Sequence, residues 1–114
     1  MSAKRSNPDF LNGVPELLIL RLLAQRPRHG YALVHALKLA TGEALEFAEG
    51  CIYPVLHRLE ADRLLKCRRE TVDGRSRLVY EVTPRGITRL AESMDTWAKV
   101  ARAVEAALQG AAPV

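Results

Sequence analysis

The stretch Cys51-Ile52-Tyr53-Pro54-Val55-Leu56-His57-Arg58-Leu59-Glu60 holds a phenol, an imidazole and a guanidinium within six residues. At helical spacing Ile52, Val55, Leu56 and Leu59 form an apolar face, leaving Gly50, Tyr53, Pro54, His57 and Arg58 on the other. A face meant only for water would carry Glu, Lys or Gln. Tyr53, His57 and Arg58 are groups that reach base edges and phosphates, so contact with nucleic acid is the chemistry they suggest. The charge agrees. Eight basic residues against three acidic ones between Arg63 and Arg89 leave +5 there, while the rest of the chain sums to −1. A stripe of one sign confined to one segment marks a polyanion-binding surface, with a solvated charged face as the alternative.

Other chemistries have less support. The three histidines, His29, His35 and His57, fall on separate elements with no matched nucleophile, phosphate loop or metal-ligand spacing, so no catalysis, cofactor or metal is expected. Cys51 and Cys67 make no disulfide framework. They are expected as reduced, partly buried thiols, a redox switch between them being the rival reading. At 48% hydrophobic and 26% charged over 114 residues the chain reads as one small domain without a membrane span or a secretory segment, and the cytoplasm is its expected location.

The elements that must hold these residues follow from pattern. Residues 1–9 are polar and aperiodic, an expected flexible arm whose Lys4 and Arg5 could touch phosphate. Leucines 17, 18, 20, 22 and 23 predict a buried helix over Val14–Ala24 that stops before Pro27. A second helix is predicted over Tyr31–Ala40, opened by Gly30 and closed by Thr41-Gly42. The third is the stretch quoted above. Pro54 removes a backbone donor, so that helix starts no earlier than about Gly50 or kinks. Lys66–Thr71 and Leu78–Val82 flank Asp73-Gly74, a strong hairpin signal, with Arg75 and Arg77 at its tip. Thr83-Pro84 supplies a cap and a first-turn proline for a last helix to about Leu108. The expected fold is therefore mainly α with a small β-hairpin: a winged helix-turn-helix over 10–83, a long C-terminal dimerisation helix over 84–109 and a tail over 110–114.

These residues also carry a family resemblance. His29-Gly30-Tyr31, Ile52-Tyr53-Pro54-Val55-Leu56, Arg58-Leu59-Glu60, Tyr80 and Thr83-Pro84-Arg85-Gly86 together resemble the PadR-like transcriptional regulators, in their short branch with a single C-terminal helix. The resemblance covers about residues 10–98. It implies a homodimeric, DNA-binding repressor whose C-terminal helices pair across a two-fold axis and which answers, in many relatives, to small aromatic compounds. The chain departs from the family pattern in two places. Glu49-Gly50-Cys51 lacks the usual hydroxyl before the third helix, and Arg63 replaces a glycine at its end.

On this reading the DNA-binding candidates are Tyr31, Tyr53, His57, Arg58, Arg63, Arg75 and Arg77, and Glu60 is structural, paired with an arginine. The partner is double-stranded DNA with a pseudo-palindromic operator; an acidic protein docked on the basic face is the rival. Ile87, Leu90, Met94, Trp97, Ala101, Val104 and Leu108 repeat at spacings of three and four, an apolar seam for a homodimer. Trp97, with Met94 one turn before it and small alanines after it, is the candidate binding site for a planar aromatic effector.

Overall fold

The computed structural model describes residues 13–110. The expected arm with Lys4 and Arg5 lies outside them. The order is α1 (Gly13–Gln25), β1 (Arg28–His29), α2 (Gly30–Ala40), α3 (Glu49–Ala61), β2 (Leu65–Val72), β3 (Arg75–Val82) and α4 (Pro84–Leu108). The three strands form one antiparallel sheet in the order β1-β3-β2. The fold is a winged helix-turn-helix with a long C-terminal helix.

Ile19, Leu20 and Leu23 of α1, Leu33 and Leu37 of α2, and Ile52, Leu56 and Leu59 of α3 close over one core, sealed by Leu64, Leu65 and Tyr80 from the sheet side. Each such buried side chain contributes about 1.5–3 kcal/mol over leaving it in water. Arg28 closes α1: its Nε donates to the Leu22 carbonyl at 3.3 Å and its Nη2 to Gln25. The next residue, His29, pairs with Val79, which makes β1 a third strand beyond the hairpin expected from sequence.

The hairpin is longer than its pattern suggests. Asp73 and Gly74 both take positive φ (52° and 78°), the mirror-image turn whose twist matches antiparallel strands. Strand pairing continues to the turn itself, so Arg75 lies opposite Val72 and Arg77 opposite Glu70, inside β3 rather than in a loose tip. Pro54 is the sixth residue of α3, well inside the helix, and Gly50, whose carbonyl loses its usual donor, is exposed to water.

The far end of α3 and the start of α4 are built together. The Leu64 N–H donates to the Leu59 carbonyl and the Arg63 N–H to that of Glu60, a Schellman cap that puts Arg63 at φ 65°. A side chain in that conformation costs about 1 kcal/mol against glycine. The Arg63 carbonyl then accepts the Thr83 hydroxyl at 2.8 Å, and Thr83 Oγ1 in turn accepts the Gly86 N–H at 3.0 Å as the cap of α4. Gly86 sits so close that a Cβ there would overlap the Leu64 carbonyl oxygen and lie 2.6 Å from Val82. Leu90, one turn later, is 6% exposed within the core. It belongs to its own chain's interior, which corrects its assignment to the dimer seam. Beyond it α4 continues to Leu108, about 37 Å in all, with most of its apolar side chains uncovered.

Candidate nucleic-acid interface

Four of the seven DNA-binding candidates meet in one place. Tyr31 from the first turn of α2, Tyr53 from α3 and Arg75 and Arg77 from β3 line an open cleft of about 620 Å³ between the helices and the wing. Gly30 makes this possible: a Cβ there would stand 2.9 Å from the Tyr53 ring and 3.4 Å from that of Tyr80. Tyr53 is therefore half-buried against the start of α2. Burial, then the Glu49 carboxylate, then Tyr31 push its hydroxyl pKa up, so it stays a neutral donor. Tyr31 is 70% exposed, an aromatic ring held out in solvent at a helix start. Behind them the Tyr80 hydroxyl pKa is pushed up to about 12 by burial first and then by the neighbouring Cys67 thiol.

The other three candidates do not line this cleft. His57 is exposed one turn after Tyr53 along α3, beside Pro54 and Gly50, and extends the same outer face. Arg63 is exposed at the far end of α3. Arg58 turns away from that face: its Nη1 donates to Glu16 Oε1 of α1 at 3.1 Å. The same carboxylate takes Arg89 of α4 on its other oxygen at 3.3 Å. Glu16, not Glu60, is the acidic partner of these arginines; among the described residues Glu60 forms no ion pair, which corrects the expected pairing.

A second basic cleft of about 440 Å³, not legible in the sequence, is lined by Arg26, Arg28, His29, Arg68 and Glu70. His29 Nε2 lies 3.1 Å from Glu70 Oε1, tying the start of α2 to the wing, and Arg68 donates to the other oxygen at 3.4 Å. These two bonds, His29 first, hold the Glu70 carboxyl below its ordinary pKa. Arg68 lies within the basic stripe, but nothing local singles it out. Cys51 and Cys67 are free thiols, and burial raises the pKa of both, which disfavours the reactive thiolate.

Away from these clefts α4 bares Ile87, Met94, Trp97, Val100, Val104 and Leu108, each between 45% and 81% exposed. Val100 joins this face although the heptad reading omits it, and Ala101 is half-buried. Trp97 and Val100 also border a cleft of about 450 Å³ between α1 and α4, together with Glu16, Leu17, Arg89 and Ser93. Met94 does not line that cleft. Among the described residues no helix is long and apolar enough to cross a membrane, and no three His, Cys, Asp or Glu side chains converge to hold a metal.

A model of the transcriptional regulator PadR-like family matches residues 19–92, well over half of the chain and including the third helix and the whole wing. The chain belongs to the PadR-like family. A relative, transcriptional regulator Rv3488 of Mycobacterium tuberculosis, is 38% identical over 96 residues, 84% of this chain and 87% of the relative. Among solved structures, a PadR-like transcriptional regulator from Bacillus cereus superposes with a TM-score of 0.76 at 30% identity, covering 90% of this chain and 98% of that one. A PadR-like transcription factor from Bacteroides fragilis follows at 0.69 and 31%, covering 84% and 91%. This PadR-like chain is thus a DNA-binding transcriptional regulator.

Proposed function

We propose that the chain acts as a homodimeric repressor that grips a pseudo-palindromic operator and releases it when a planar aromatic compound binds. The observation that carries this reading is the convergence of Tyr31, Tyr53, Arg75 and Arg77 on one open cleft, with His57 next along α3. Tyr53 and His57 read bases from α3, while Tyr31 and the wing arginines hold phosphates and the adjacent minor groove. Arg63 adds charge at the end of α3. Residues 10–83 are the DNA-binding unit and 84–109 the dimerisation helix. Pairing is supported by the apolar side chains that α4 leaves in water, since a monomer gains nothing from displaying Trp97, Val104 and Leu108 together. The α1–α4 cleft at Trp97 is the effector site, and a ligand there acts through a difference in affinity for two dimer arrangements.

Selection of bound fragments from the source genome tests the reading. Recovery of two-fold sites, bound with an affinity that falls steeply with salt, is the expected result. Each of Arg75→Ala and Arg77→Ala should lower the salt slope by about one unit, and His57→Ala should cost about 1–3 kcal/mol on specific sites only. Recovery of no two-fold fragment would favour an acidic protein as the partner of the basic face.

A further inference from the structure

Glu16 is placed as a link between two functions of the chain. It is the one acidic residue in the first turn of α1, and its side chain is only 16% exposed. One carboxylate oxygen holds Arg58 of α3 and the other holds Arg89 of α4. These contacts span 42 and 73 residues of sequence, so they join elements that chain connectivity leaves apart. The carboxylate is largely buried while the Arg58 and Arg89 side chains are 49% and 40% exposed, so the two bonds are charge-assisted and directional but partly screened by water. Without the carboxylate, two guanidinium groups would be left close together with no counter-charge.

We infer that Glu16 is a positioning residue that fixes the angle of the recognition helix to the dimerisation helix and thereby sets the half-site spacing the dimer accepts. The inference rests on the homodimer reading above. In a two-fold dimer α4 defines the axis and α3 enters the groove, so the α3–α4 relation determines how far apart, and at what rotation, the two copies of α3 stand. One added base pair shifts a half-site by about 3.4 Å and turns it by about 34°. A rigid clamp rejects that change. A loosened one tolerates it.

The test uses a two-fold genomic fragment recovered with the unaltered chain, with one base pair inserted or removed between its half-sites, and fluorescence anisotropy as the readout. The unaltered chain should prefer the original spacing by about tenfold or more, a discrimination like that of one or more mismatched pairs. In Glu16→Gln the preference should fall below about threefold. Arg89→Gln, a change at a half-buried side chain that leaves the Glu16–Arg58 bond in place, should give the same loss with little cost to the fold, and Arg89→Lys should restore most of the preference. A general loss of stability lowers affinity for every spacing alike and leaves the ratio unmoved. Retention of the full preference in both Glu16→Gln and Arg89→Gln overturns the inference alone. Failure to recover any two-fold fragment removes the repressor reading and this inference with it.

Discussion

The two ends of α4 carry the same apolar period and serve different surfaces. Its first two turns are fixed to their own chain: Thr83 caps them, Gly86 lies on the Leu64 carbonyl, and Leu90 fills the core. Its later turns show Met94, Trp97, Val100, Val104 and Leu108 to solvent. Periodicity tells which face of a helix is apolar; how far the rest of the chain reaches decides what that face meets.

Substitutions at the two ends should separate cleanly. Leu90→Ala is expected to cost about 3 kcal/mol, measured by chemical denaturation and independent of protein concentration, because the cavity lies inside one chain. Gly86→Ala should cost about as much, since its new methyl meets backbone that cannot swing aside. Thr83→Ala should cost about 1–2 kcal/mol through the lost cap. Val104→Asp is the opposite case. It should change unfolding of the dilute chain by less than about 0.5 kcal/mol yet raise the concentration at which light scattering detects dimers by tenfold or more. A large concentration-independent loss in Val104→Asp would erase the distinction between the ends.

The smallest effect belongs to the wing and serves as a control. Glu70 has its folded pKa lowered by the His29 hydrogen bond first and then by Arg68. Its contribution to stability is therefore present above the ordinary value of 4.5 and lost as pH falls through the lower folded value. Glu70→Gln should flatten the acid limb of the stability profile below about pH 4.5 and leave dimerisation untouched.

Much of the fold is legible in the chain because local signals are strong there. Asp73-Gly74 specifies its turn, Thr83-Pro84 its helix start, and the leucines of α1 their buried face. What escapes is non-local. β1 is two residues long beside Pro27, too short for any period, and exists only because β3 lies next to it. Leu90 and Val104 occupy equivalent positions in the heptad reading, and only the reach of the domain distinguishes them. At the candidate interface, Tyr31, Tyr53, Arg75 and Arg77 are readable as exposed or outward-facing residues, whereas the turning of Arg58 toward Glu16 depends on a carboxylate 42 residues earlier. The Gly30–Tyr53 contact, by contrast, gives the His29-Gly30-Tyr31 motif a steric reason.

The pairing of the strands also dictates an order in time. β2 and β3 are joined by a two-residue turn and close on the microsecond scale of a hairpin, about 1–10 μs in isolation. His29 must find Val79, 50 residues further along, so β1 docks only after the intervening chain has collapsed. Lesions in the Asp73-Gly74 turn should therefore slow folding, whereas lesions in β1 should leave folding nearly unchanged and speed unfolding. The short strand should then act as a latch on an already assembled module, setting how long the native state lasts rather than how fast it is reached.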